Sequence, residues 1–291
     1  MHENQLDINI DLVRTIINKQ FPEYGDLPIT PVNSTGTVNV IYRLGSELTV
    51  RMPRLSKWSK DIEKETTWLP RLSPHLSLEI PEPVAVGQAT KIYPSIWAIY
   101  RWISGEVYSD QSVSDEKEAA KQLAAFVNEF HSIEVPSDAP KAGRRPLAEL
   151  CEITERAVRE ADDLLDVERV LLAWRESAKA SPWDGIPVWI HADLLRPNLL
   201  VEAGRLKAVI DFGSCGIGDP CFDLVPAWSV FGAEGRQVFQ STITADPDTW
   251  LRARAYALHQ AALIVPYYRE TNPGFVDLAL RTIEQVLLDM E

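Results

Sequence analysis

The chain has 291 residues, with 29 Lys and Arg against 42 Asp and Glu, and a formal net charge of −13. That acidity supplies no basic face for a phosphate backbone, so a nucleic-acid partner is not expected. No apolar run approaches the roughly 18 residues a membrane span needs, and the start lacks a basic region followed by an apolar one, so no membrane partner is expected either.

The predicted elements run as follows. Residues 8–19 form a short amphipathic helix. Three short β-type runs follow near 28–33, 38–44 and 47–52, the last two flanking a turn at Gly45-Ser46. In that register Arg51 faces Val40. Residues 57–69 form a helix with Trp58, Ile62, Glu65 and Leu69 on one stripe, and Pro70 ends it. A carboxylate on a buried stripe requires a cation, and Arg51 is the natural partner of Glu65, whereas Glu63 points elsewhere. Residues 96–103 form a buried strand. The rest is mostly helical, over 116–131, 147–180, 220–232, 249–269 and 275–289, and Val135 to Pro146 is a loop. The exception is 187–212, read as short strands and turns. The fold class is therefore α+β, with a β-rich N-terminal lobe over 1–102 and a larger helical C-terminal lobe over 103–291.

Cys151, Cys215 and Cys221 form no C-x-x-C pair and His is scarce, so neither a zinc site nor a disulfide framework is expected, and a cytoplasmic location fits three reduced cysteines. Residues 1–102 hold 11 basic and 11 acidic side chains, and the remainder holds 18 and 31. An acidic second lobe suits a cationic ligand or solubility alone; both readings stay open.

The chemistry concentrates in His191-Ala192-Asp193, Asn198 and Ile210-Asp211-Phe212. Two apolar runs surround Gly204-Arg205, which predicts a hairpin turning there. Glu202 then faces Lys207, and Asn198 faces Asp211 at the open end. An amide oxygen and a carboxylate together suit Mg²⁺, and Asp193 on the preceding loop reaches the same end. Phosphoryl transfer requires such a set: one carboxylate to take the acceptor's proton, and an Asn and an Asp to hold the metal that clamps the nucleotide phosphates.

The pattern H-x-D-x-x-x-x-N followed by I-D-F resembles the active-site segment of the aminoglycoside phosphotransferase family, small-molecule kinases with a protein-kinase-like fold. That resemblance implies Asp193 as catalytic base, Asn198 and Asp211 as Mg²⁺ ligands, and a structural hydrogen-bonding role for His191. Ala192 stands where the family has Gly, a change tolerated unless the position needs positive φ. The segment Gly216 to Leu224 is also similar to this family. There Asp219-Pro220 is a helix-start signal, and Asp223 either faces an acceptor amine or sits in the helix, the second being preferred. The run Ala227 to Gly232 and the R-x-P-R at Arg51 to Arg54 resemble the macrolide kinases of the same superfamily.

In the first lobe the resemblance implies that Ser34, Thr35, Gly36 and Thr37 cover the nucleotide phosphates. It implies that Arg51 stands where such kinases carry Lys, paired with Glu65, and that the strand through Tyr100 and Trp102 meets the base. The implied activity is transfer of the γ-phosphoryl of ATP or GTP to a hydroxyl of a small, cationic acceptor, an aminoglycoside or a macrolide. The alternatives are a metabolic kinase acting on choline, homoserine or a sugar, and a non-catalytic pseudokinase.

Overall fold

The computed structural model describes residues 7–32 and 38–291. The chain divides into two compact units. One comprises Met1–Pro74, Glu79–Ser104 and Ala208–Gly213; the other comprises His75–Leu78, Gly105–Lys207 and Ser214–Glu291.

The first unit opens with helix α1 (Ile10–Gln20), capped by the Asn9 side chain, whose Oδ1 accepts from Leu12 N. Strands β1 (Ile29–Pro31), β2 (Asn39–Leu44) and β3 (Leu48–Pro53) are followed by α2 (Ser59–Leu72), β4 (Pro83–Gly87) and β5 (Trp97–Arg101). The five strands form one antiparallel sheet in the order β1-β2-β3-β5-β4. Val13, Ile16 and Ile17 of α1 pack with Leu44, Val50, Met52, Trp97 and Ile99 of the sheet as its core. Gly87 is required there, because a Cβ would come within 1.9 Å of the Trp97 ring.

Two expectations fail in this unit, and one strand is new. The β2–β3 turn takes three residues, 45–47, with Gly45 at φ +63°, so Arg51 faces Ile41 and not Val40. Pro70 does not end α2. Trp68, Leu69 and Leu72 are buried around it, and that packing carries the helix past the missing N–H. Strand β4 was not foreseen, because its apolar content is short and broken by Pro83 and Gly87.

In the second unit β6 (Glu106–Val107) precedes the long helix α3 (Glu116–Ser132), which buries Ala120, Leu123, Val127 and Phe130 as its spacing predicts. The expected helix 147–180 is two helices, α4 (Cys151–Glu160) and α5 (Val167–Ser177), the second started by an Asp166 cap. Strands β7 (Val188–Ile190) and β10 (Gly216–Gly218) pair antiparallel. β8 (Leu199–Glu202) lies between β6 and β9 (Arg205–Val209).

The expected helix 220–232 is a 3-10 turn over Pro220–Leu224 and a short α6 (Pro226–Ser229), since Pro226 interrupts it. Asp219 does cap that turn, accepting from Cys221 N at 3.0 Å, and its carboxylate also pairs with buried Arg252 at 2.8 Å. Helix α7 (Ala233–Thr242) was not foreseen; Glu116 of α3 caps its start by accepting from Gly232 N and Gly235 N. Helices α8 (Pro247–Tyr268) and α9 (Pro273–Asp289) each begin with an Asp or Asn cap followed by Pro. No helix among the described residues is long and apolar enough to cross a membrane.

Candidate functional site

In the second unit, β7 delivers the chain into the loop 191–198. Buried Asp223 holds the start of that loop: its carboxylate accepts from His191 N at 2.9 Å and from Ala192 N at 2.8 Å. Asp223 thus sits in a 3-10 turn and frames the loop, where the sequence reading preferred a plain helical role. His191 is fully buried, and its Nδ1 accepts from Asp193 N at 3.2 Å, the structural role expected of it. Arg196, also buried, anchors the far side by donating to Val230 O and to the Asp110 carboxylate.

Ala192 has φ +64°, a region where a side chain costs roughly 1–2 kcal/mol. The condition under which Gly was thought necessary is therefore met, and the loop carries the strain. Ala192→Gly should raise the unfolding free energy by up to about 1 kcal/mol, the relief of Cβ strain exceeding the entropy that Gly adds to the unfolded chain. Chemical denaturation checks this; an unchanged or lower midpoint would show that the loop is not strained at this residue.

The Asp193 side chain is partly exposed, and both oxygens are engaged. Oδ1 accepts from Gln260 Nε2 of α8 at 2.9 Å, and Oδ2 accepts from Asn198 Nδ2 at 3.0 Å. Asn198 Nδ2 also donates to Asp193 O. Those two bonds fix the amide's orientation and turn Asn198 Oδ1 away from Asp193, leaving a hard oxygen for a cation. Arg144 Nη2 lies 3.6 Å from Asp193 Oδ1 and donates to Ala192 O. Beside Gln260 the unit opens a small cavity with an apolar lining that includes Leu195, Ala261, Ile264, Phe275 and Leu278.

In the first unit, Arg51 and Glu65 form the expected ion pair. Arg51 Nη1 donates to Glu65 Oε2 at 2.9 Å and Oε1 at 3.2 Å, and both residues are buried. Burial opposes the Arg51 charge, but attraction to Glu65 and Asp211 outweighs it and raises the pKa above its usual value. Arg51 Nη2 lies 3.4 Å from Asp211 Oδ1. Asp211 has φ +64°, and its side chain is about half exposed, with 48% of its surface accessible. Lys64 of α2 donates to Gly213 O, fastening the 211–213 turn to that helix.

Tyr100 belongs to the Arg51–Glu65 cluster. Its hydroxyl donates to Glu65 Oε2 at 2.8 Å, and its strand is paired on both sides. Trp102 N donates to Glu47 O, and its ring lies under the Arg43 guanidinium at 4.0 Å. Ser34, Thr35, Gly36 and Thr37 lie outside the described residues.

The predicted hairpin forms with its turn at Ala203-Gly204, one residue earlier than expected, both with positive φ. Lys207 still bonds Glu202 at 2.9 Å. β8 begins at Leu199 and β9 ends at Val209, so neither Asn198 nor Asp211 is in the ladder, and their direct cross-strand opposition is not formed.

The donor chemistry fits a hard cation. Among the described residues no group of three or more His, Cys, Asp or Glu could hold a metal by itself. Mg²⁺ of the phosphate-bound kind needs only one or two side-chain oxygens, and Asn198 Oδ1 and the half-exposed Asp211 carboxylate are of that type.

A model of the phosphotransferase enzyme family matches residues 29–257. The chain belongs to this family. Among curated members, an aminoglycoside 3'-phosphotransferase of Escherichia coli is 30% identical over 139 residues, which is 43% of this chain and 49% of that protein. The chain thus spans about half the length of the curated relatives it matches.

Solved structures of the family share the fold over nearly the whole chain. The GDP complex of wild-type aminoglycoside 2'-phosphotransferase-IIIa has a TM-score of 0.72 at 20% identity, covering 98% of this chain and 100% of that one. The apoenzyme of a macrolide 2'-phosphotransferase from Brachybacterium faecium has a TM-score of 0.60 at 17% identity, covering 94% and 98%. The α+β, protein-kinase-like fold class expected from the sequence is borne out.

Two residues of the Asp193 environment, Gln260 and Arg144, escaped the sequence reading, and the role of a third was missed. Asp223 was noticed but assigned elsewhere. Gln260 is one of several polar side chains on α8, beside Arg252, Arg254 and His259, and nothing in its spacing singles it out. Arg144 lies in a loop rich in Pro, Ala and charge, and no periodicity points to it.

Proposed function

We propose that this protein is a kinase that transfers the γ-phosphoryl group of ATP or GTP to a hydroxyl of a small-molecule acceptor, an aminoglycoside or a macrolide-like compound. One observation carries this reading. The Asp193 carboxylate is fixed by two amide donors, Gln260 and Asn198, in a loop whose backbone is held by buried Asp223. A carboxylate so fixed orients an acceptor hydroxyl and takes its proton. The relatives' acceptors and the nucleotides in their complexes support the substrate classes.

Mg²⁺ bound to Asn198 and Asp211 would neutralise the nucleotide phosphates and the charge that develops during transfer. Asn198 serves it with the oxygen left by the fixed amide. Arg51 holds Asp211 from one side while paired to Glu65, and it is one candidate contact to phosphate.

The test is Mg²⁺-dependent nucleoside diphosphate release, with ATP and GTP assayed separately against aminoglycosides, macrolides and small amino alcohols. Stimulation by an antibiotic class supports the proposal. Stimulation by amino alcohols alone would point to a metabolic kinase, and no turnover or nucleotide binding would point to a pseudokinase. Asp211→Asn is expected to weaken nucleotide binding at least about tenfold in Mg²⁺ and little in EDTA, as titration calorimetry would read; equal affinities in Mg²⁺ would remove Asp211 as a ligand.

A further inference from the structure

The cation beside Asp193 has no place in the scheme so far. Arg144 belongs to the loop between α3 and α4, and that loop is fastened down. Ala142 N donates to Ile217 O at 3.1 Å, and Ile217 N donates to Pro140 O at 2.7 Å. Residues 140–142 therefore lie along β10 as an added edge. The approach is close: a Cβ on Gly216 would come within 2.6 Å of Pro140 O and Ala142 N. On the other side Tyr256 of α8 donates its hydroxyl to Arg145 O. The backbone is thus fixed on both flanks of Arg144.

The guanidinium itself is only partly used. Nη2 reaches Ala192 O and Ser214 Oγ, while Nε and Nη1 make no hydrogen bond among the described residues. Its ion pair with Asp193 is long, at 3.6 Å, beyond hydrogen-bond distance. Asp193 Oδ1 takes its short bond from Gln260 instead. A structural Arg–carboxylate pair closes to about 2.7–2.9 Å, often with two parallel bonds. This one leaves donors unspent, and a third of the Arg144 side chain is exposed.

We infer that Arg144 is a catalytic residue that hydrogen-bonds the phosphoryl group as it passes to the acceptor oxygen held by Asp193. The inference rests on the kinase reading above. In the step, the acceptor oxygen forms a bond to the γ-phosphorus and its proton goes to Asp193. The bond from that phosphorus to the bridging oxygen breaks, and the nucleoside diphosphate leaves with the electron pair. The charge spreads over the three equatorial phosphoryl oxygens during transfer. A fixed cation within reach of the acceptor oxygen meets that charge more strongly than it meets the ground state.

The experiment compares wild type with Arg144→Met and Arg144→Lys. Acceptor-dependent turnover is measured, together with the affinities for ADP and for ADP with aluminium fluoride in Mg²⁺ (GDP where GTP is the donor). Arg144→Met is expected to lower kcat about 10²–10³-fold, with acceptor KM and diphosphate affinity within about threefold. Its affinity for the aluminium fluoride complex should fall by a factor similar to kcat. Arg144→Lys, which keeps the charge but not the fork, should fall between the two and serves if the Met variant does not fold. Turnover within threefold of wild type in both variants would overturn the inference and leave the kinase reading intact. So would a loss of turnover with no selective loss of aluminium fluoride binding, which is what a merely structural arginine would give. A wild-type protein without turnover would overturn both.

Discussion

Asp193→Asn is expected to lower acceptor-dependent turnover by about 10²–10⁴-fold while leaving nucleotide affinity nearly unchanged. The substitution conserves shape but removes the proton acceptor. It also breaks the local pairing, because both carboxylate oxygens accept from amide groups, Gln260 Nε2 and Asn198 Nδ2. An asparagine has one oxygen to offer and must face one of those donors with its own NH₂. The variant should therefore lose about 1 kcal/mol of stability as well. Steady-state kinetics with a nucleotide-binding measurement on the same sample separates the two effects. Wild-type turnover in Asp193→Asn would end the assignment of Asp193 as the base.

Glu65→Ala is expected to cost about 3–5 kcal/mol of stability, the largest single loss among these variants. Removing the carboxylate leaves the buried Arg51 without its close partner, facing the half-exposed Asp211 at 3.4 Å. It also takes the acceptor from the Tyr100 hydroxyl, which is buried too. Most of that cost comes from the charge left behind, not from the strength of the pair. The double variant Arg51→Met with Glu65→Leu should therefore recover most of the loss while giving up nucleotide binding. Denaturant unfolding of the three proteins checks this. A loss below about 1 kcal/mol in Glu65→Ala would mean that water reaches Arg51 in solution.

These two variants differ in how visible their residues were. Periodicity put Glu65 on the buried stripe of α2, where a carboxylate has to meet a cation, and the family resemblance pointed to Arg51 as that cation. The structure forms the pair although the strand register slipped by one, because the pair joins β3 to α2 and the slip changes only which β2 residue lies opposite Arg51. Pro70 and the register of the two turns were misread for one reason. Local propensity was weighed without the packing of Trp68, Leu69 and Leu72 around Pro70, or the positive φ available to Ala203-Gly204.

The sequence by itself determined the α+β class, the first sheet's central strands, the long helices and the residues of the H-x-D-x-x-x-x-N and I-D-F motifs. All of these are encoded over short spans, by periodicity, cap residues or fixed spacing. The tertiary structure decided what surrounds Asp193. Asp223 reaches the loop from 32 residues away, Arg144 from 48 and Gln260 from 67. Contacts at such separations leave no period in the chain. They exist only once α8, the 3-10 turn at 220–224 and the loop along β10 have each been packed into place.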